Sequence, residues 1–420
     1  MKRILKLILL FSFYFSLNSW AQPSFNDAAL LKKVDSIITF AIKNEAFPGA
    51  QVLVAHKNEV VFDHAYGFHT YDSIQPVELN NLYDLASVTK IIGPLPALMK
   101  LVDEGKLDLD APFSDYWKPW KKKKDKRQLT LREILSHQAG LVPYIVFLNK
   151  IMKDGNLKKR FVKKKPESRF NQKAYNGIYI KNRFKNKIYR IINRSKVSPD
   201  KKYKYSGLAF LLFPEIISNI SGKNYETYLQ DEFYIPLGAK TLGFNPIEKQ
   251  FSNTIMPTEI DTLFRKTTVK GYVHDENAAL LGGISGNAGL FGTADDLSKM
   301  LLLYQNYGEL YGKRYISEET VKEFTKAHYA DNENRRGLGF DKPLLGNDSL
   351  AISQAYPSPQ VSPKSFGHSG FTGTFVWADP DNELVFIFLS NRVFPNRSHR
   401  NLYELNIRVV LQDLFYGVIQ

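Results

Sequence analysis

A hydroxyl and an amine stand one helical turn apart in the run Asp84-Leu85-Ala86-Ser87-Val88-Thr89-Lys90. A serine hydroxyl is a poor nucleophile until a base takes its proton. A lysine three positions further along a helix lies on the same face, within reach of it. If Ser87 opens the helix, the local backbone field favours the negative charge that develops there. A lysine held away from water gives up its proton more readily and can serve as the base. The spacing alone is weak evidence. Ser198-Pro199-Asp200-Lys201 repeats it, but in a polar stretch with no apolar helix directly after it, and reads as accidental. The bland alternative for Ser87 is a helix N-cap with a solvated Lys90.

Two further clusters have chemical potential. Tyr205-Ser206-Gly207 precedes the apolar run Leu208–Phe213. A tyrosine beside a cation can shuttle protons, although a tyrosine at a helix start is more often simply core. The run Phe366-Gly367-His368-Ser369-Gly370-Phe371-Thr372-Gly373-Thr374 places three glycines before a strand. Such backbone can approach a ligand closely, and its N–H groups can stabilise an oxyanion. His368 there is either a donor to a substrate or a structural histidine. Other chemistries lack their signatures. No Gly-x-Ser-x-Gly elbow, His-Glu-x-x-His zinc motif or phosphate-binding Gly-x-x-x-x-Gly-Lys loop occurs. His274-Asp275 has no partnered ligand set, so neither a metal nor a cofactor is expected.

The elements that must position these residues are legible from periodicity. Residues 26–43 are apolar at helical spacing, with Asn26 or Asp27 as the cap. Gln51–Ala55 and Val60–His64 read as strands joined by Lys57-Asn58. Thr374–Ala378 and Leu384–Leu389 read as two more, around the turn Asp379-Pro380-Asp381-Asn382. A last helix is expected over Leu402 to Phe415. Strands near both ends imply one sheet closed by the termini, with a helical region inserted between. Residues 89–104 are helical in pattern, interrupted by Pro94 and Pro96 and stopped at Gly105. Leu129–Ser136, Leu208–Ser218 and Tyr225–Phe233 are further helices. The expected division is a sheet part over about 22–80 and 285–420 and a helical part over about 81–284.

The 420 residues contain no cysteine, which excludes disulfides and thiolate metal sites, so a large core must hold the chain together. Lys2, Arg3 and Lys6, the apolar Leu7 to Leu17, and small residues flanking Trp20 read as a signal peptide over 1–21. Export to the periplasm or medium is the resulting expectation. Charge is uneven. Residues 118–204 hold 28 Lys and Arg against 5 Asp and Glu, whereas the whole chain carries a net +15. The remainder is therefore net acidic. Within this stretch, 145–202 mixes basic, aromatic and isoleucine residues and reads as an insertion. Its plain reading is a solvated face; its sharper reading is a surface for anionic envelope material. No nucleic acid partner is expected of an exported protein, and the oligomeric state is left open.

Taken in order, the three clusters resemble the serine β-lactamase and penicillin-binding-protein superfamily, most of all its class C branch and the related peptidases and esterases. Phe47-Pro48-Gly49-Ala50-Gln51-Val52-Leu53-Val54, Leu135-Ser136-His137-Gln138-Ala139-Gly140-Leu141 and Gly271-Tyr272-Val273-His274-Asp275 look like the same branch. So does the glycine-rich run from Leu281 to Phe291. The likeness spans about residue 27 to the C-terminus and is weakest over 145–202. It implies an α/β (α+β) fold of the β-lactamase/transpeptidase type, an antiparallel sheet flanked by helices with a mainly helical insertion.

The resemblance also implies roles. Ser87 would be acylated. Lys90 and Tyr205 would share the acid and base work. His368 would stand where the family's third motif has Lys. The N–H groups of Ser87 and Phe371 would form the oxyanion hole, with Ser369 and Gly370 beside the substrate. Two positions depart from the pattern. Gly207 stands where the family usually has Asn, whose side chain holds a substrate amide, and Asn287 stands where related sequences often have His. The expected substrates are D-alanyl cell-wall peptides or esters, with weak action on β-lactams. A different class of function remains open: a catalytically weak envelope-binding or wall-fragment-sensing protein on the same fold.

Overall fold

The computed structural model describes Phe25 and residues 27–419. The signal-peptide expectation for 1–21 lies outside the described residues. A five-stranded antiparallel sheet forms the frame, built from β1 (Gly49–His56), β2 (Glu59–Gly67), β3 (Phe366–Ser369), β4 (Phe375–Asp379) and β5 (Leu384–Ser390). Their spatial order is β3-β4-β5-β1-β2, so β1 from one end of the sequence pairs with β5 from the other. Lys57 and Asn58 both take positive φ (51° and 69°), the tight turn their types suggested.

Both faces of this sheet are covered, which is why β1 is apolar almost throughout instead of alternating. Val52, Val54, Trp377, Phe386 and Phe388 pack with α1 (Ala28–Lys43) and the C-terminal helix. Leu53, Ala55, Val376, Ile387 and Leu389 face the larger core on the other side. Fully burying each of the Val, Leu, Ile and Phe side chains among them contributes about 1.5–3 kcal/mol. Asp27 caps α1 by accepting from the Ala29 N–H at 2.9 Å.

The middle of the chain builds the helical lobe. The pattern over 89–104 resolves as a short turn, Thr89–Ile92, then α2 (Pro94–Asp103). The break falls at Gly93, because Pro94 takes the first helical position, where its missing N–H costs nothing. Residues 145–202 fold as part of the same body. Val162–Lys163, Gln172–Tyr175 and Ile178–Ile180 form a three-stranded sheet, followed by α3 (Phe184–Arg194). Phe147, Ile151, Ile180, Phe184, Ile188 and Ile192 all join the main core. The strands are an addition to the sequence reading, which saw some helix here. Among the described residues no helix is long and apolar enough to cross a membrane.

Candidate active site

Ser87 sits where a short strand, Tyr83–Asp84, turns into the Ala86–Val88 helical turn. Ala86 takes φ 45°, a left-handed conformation that a residue with a Cβ adopts at some cost. The surroundings hold it there. The buried Asp84 accepts from the Ala86 N–H at 2.9 Å and from the His274 N–H at 2.6 Å. From the other side, Thr372 Oγ1 donates to the Asp84 carbonyl (2.7 Å) and Thr374 Oγ1 to the Leu85 carbonyl (3.0 Å). The turn after β3 is thereby stitched to the backbone of the nucleophile. Only glycine fits at 370, where a Cβ would lie 2.0 Å from Thr374 Oγ1 and 2.6 Å from the Leu85 carbonyl oxygen.

Lys90 is 2% exposed, and its Nζ donates to Ser87 Oγ and to the Asn287 carbonyl, both at 2.9 Å. No ion pair neutralises it among the described residues, so the amine is aimed by one carbonyl and the serine alone. Its Nζ also lies 5.4 Å from the centre of the Tyr205 ring and 5.5 Å from that of Phe210. The Tyr205 phenol oxygen is buried without a hydrogen-bond partner, so it is bonded to neither Lys90 nor Ser87 and is free to engage a substrate. Ser87, Lys90, Tyr205, Gly207 and Phe371 line one cavity of about 460 Å³, whose outer wall includes Tyr144, Val146, Leu263 and Arg397. The Phe371 carbonyl is gripped by Arg392 through Nε (2.9 Å) and Nη2 (2.7 Å), which fixes the edge carrying the Phe371 N–H.

His368, Ser369 and Gly370 stand behind this wall instead of on it. His368 is buried, and both ring nitrogens are engaged. Nδ1 donates to the Ser369 carbonyl at 2.7 Å, and Nε2 accepts from Arg336 Nη2 at 3.3 Å. Burial, then the Arg336 and Lys90 charges, push its pKa down to about 3. His368 is therefore neutral, unlike the Lys whose place it takes in the family's third motif. The cation beside it is Arg336, which also pairs with Asp341 at 3.0 Å and lies 5.5 Å from the centre of the Tyr205 ring. His137 completes the cluster, its ring centre 4.4 Å from that of Tyr205. Burial and the same two cations hold its pKa well below the usual imidazole range.

Sequence reasoning missed Arg336 entirely and quoted His137 without giving it a task. Nothing local marks either one. The odd Asn287 proves structural: its side chain bridges Ser285 and Asp275, while its carbonyl aims Lys90. At Gly207 an added Cβ would meet nothing nearer than Asn287 Cβ, at 4.0 Å, so the departure leaves open space. Behind the cavity-lining His274 and Arg397, the buried Glu259 accepts from His274 Nε2 (2.8 Å) and from Arg397 (2.6 Å at the shortest). These partners hold its pKa down at about 2 against the cost of burial.

Known proteins similar to this chain show its family and fold. The chain is 30% identical over 392 residues to a Salmonella enteritidis protein named "Putative D-alanyl-D-alanine carboxypeptidase", covering 87% of this chain and 83% of that one. An Escherichia coli protein of the same name is 29% identical, covering 85% and 82%. Among solved structures, the hydrolase EstCE1 superimposes with a TM-score of 0.65 at 18% identity, over 92% of this chain and 98% of that one. A penicillin-binding protein homologue from Caulobacter crescentus gives 0.64 at 18%, over 93% and 97%. These structural likenesses speak to the fold. A family profile described as β-lactamase matches residues 34–411, from within α1 into the last helix and across every residue of the cavity. With its sheet closed by the two ends of the sequence and Ser87 bonded to Lys90 at the cavity floor, the chain belongs to the β-lactamase family of serine hydrolases.

Proposed function

We propose that the protein is an exported acyl hydrolase that forms an acyl-enzyme at Ser87, on D-alanyl cell-wall peptides or on esters. The observation that carries this is the 2.9 Å contact between Lys90 Nζ and Ser87 Oγ inside a cavity large enough for a small acyl group. In this reading Ser87 Oγ bonds to the acyl carbon while its proton passes to Lys90. The carbonyl oxygen becomes an oxyanion held by the N–H groups of Ser87 and Phe371. As the tetrahedral intermediate collapses, the C–N or C–O bond breaks. The leaving amine or alkoxide takes a proton through Lys90 and Tyr205. Water then attacks the acyl-enzyme by the same route in reverse.

Gly207 favours esters among these substrates. A family member with Asn there has a side chain to hold a substrate amide, and the open space here offers none. β-Lactam turnover is accordingly expected to be weak. The relatives named as D-alanyl-D-alanine carboxypeptidases support the peptide alternative.

The basic segment supports a location at an anionic surface. Lys187 and Arg190 on α3 and the nearby Lys150, Lys158 and Arg160 take part in no ion pair among the described residues. Their mutual repulsion adds to burial in lowering the Lys187 pKa. Salt-sensitive binding to phosphatidylglycerol vesicles, absent with phosphatidylcholine, is the expected result; equal binding to both would remove this part of the reading.

The weak-binder alternative is separated from the enzyme by activity on a panel of D-alanyl-D-alanine peptides, carboxylic esters and β-lactams. Ser87-dependent release of product from any of them supports the hydrolase. Binding without turnover across the panel supports the sensor.

A further inference from the structure

The Ser87 cavity and a second groove share one wall residue. Leu263, at the tip of the hairpin formed by Pro257–Asp261 and Thr267–Lys270, borders that cavity on one side. On its other side the same residue borders a second groove of about 830 Å³, between this hairpin and the basic segment. We propose that this groove receives the distal end of the acyl substrate, and that this end is an apolar chain carrying a carboxylate. The proposal rests on the acyl-hydrolase reading given above.

The chemistry of the groove argues for such an occupant. Lys159, Lys163, Lys164 and Lys266 stand on its borders, and no carboxylate does. Only Lys163 has an acidic partner, Glu167 at 3.4 Å, and that pair is solvent-exposed and weak. Lys159, Lys164 and Lys266 form no ion pair among the described residues, so their charge is available to a ligand. Between them the floor is apolar, from Val162 and Ile178 of the inserted sheet to Leu263. Behind it, Arg265 is buried against Asp261 with its Nε–H left without an acceptor.

A groove with an apolar floor and an unopposed cationic border disfavours neutral polar chains and cationic ones. It suits an aliphatic body that ends in an anion. The inserted sheet is anchored in the main core through Val162, Ala174, Ile178 and Ile180, so Lys163 and its neighbours Lys159 and Lys164 are carried on folded structure, while Lys266 is carried by the hairpin.

The test compares p-nitrophenyl half-esters of succinate, adipate and suberate with their methyl-capped neutral forms. The substrates are given to the native protein and to the triple variant Lys159→Glu, Lys164→Glu, Lys266→Glu. In the native protein kcat/KM is expected to favour the anionic form of the longer chains by about fivefold to tenfold, mainly through KM, and less at high salt. The variant is expected to lose or invert that preference while hydrolysing p-nitrophenyl acetate at the native rate. An equal preference in both proteins, or none in the native protein for any chain, overturns the proposal. Failure of the acetate ester in the native protein would instead count against the acyl-hydrolase reading. Binding of 8-(dansylamino)octanoate to Ser87→Ala protein then decides the groove on its own. Binding lost in the charge-reversed background supports it; equal binding in both backgrounds overturns it.

Discussion

Replacing Gly207 by Asn is the change that tests most about substrate choice at the least structural cost. The Gly207 backbone is outside the left-handed region, and its N–H donates to the Pro143 carbonyl at 3.2 Å, a bond that any residue but proline can make. The new Cβ would stand 4.0 Å from Asn287 Cβ, an ordinary contact, and the carboxamide would extend into the 460 Å³ cavity. Folding should therefore be unharmed, and the loss of glycine's freedom in the unfolded chain adds about 0.4–1 kcal/mol of stability. The new side chain can hydrogen-bond a substrate amide at a net gain of about 0.5–1.5 kcal/mol. An ester lacks the N–H half of that interaction. The ratio of kcat/KM for an amide to that for its matched ester should then rise by roughly threefold to tenfold. The assay is steady-state hydrolysis of a D-alanyl amide and ester pair, with thermal unfolding as the control. An unchanged ratio in a protein of native or higher Tm would refute the argument that the missing side chain limits amide turnover.

Lys90→Ala should lower acylation by about 10²–10⁴-fold while the protein stays folded, because among the described residues it removes the only amine hydrogen-bonded to Ser87; burst-phase labelling measures it. Arg336→Met should destabilise by about 3 kcal/mol, the low end for a broken buried pair, since Arg335 still holds Asp341 at 2.9 Å. In the same variant the His368 imidazole should titrate at a higher pH by NMR, and an unmoved titration would remove Arg336 as the charge acting on it. His368 and His137 are buried neutral, with pKa values below that of a free imidazole. The unfolded chain therefore binds more protons below about pH 6.5, and their contribution to stability is complete above that pH and lost as pH falls toward 3. Urea unfolding at pH 7, 6 and 5 should show this loss, and His368→Gln should flatten it by up to about 1.4 kcal/mol per pH unit.

Much of the site is legible in the sequence because it is written at short range. Ser87 and Lys90 are three positions apart, so helical geometry alone brings them together. Gly370 and the threonines after it announce a close backbone approach, and the apolar runs of β4 and β5 on either side of the turn Asp379-Pro380-Asp381-Asn382 announce the sheet. Arg336 is different. It lies 32 positions before His368, and what makes it matter is the low-polarity pocket in which it meets His368, Asp341 and Tyr205. That pocket exists only after the sheet and the helical lobe have closed. The neutrality of His368 has the same origin, since burial is its largest cause. The inserted strands were hidden because short amphipathic segments dense in lysine carry no clear period. Their register is set instead by Ile178 and Ile180 reaching the core.

In the proposed reaction Ser87 Oγ is the atom that becomes acylated. Intact-mass and peptide-mass spectrometry of the protein stopped in mid-turnover of an ester measures this directly. The account predicts an adduct equal to the acyl group on the peptide containing Ser87, absent from Ser87→Ala. Turnover that survives in Ser87→Ala, or an adduct confined to another residue, would contradict it.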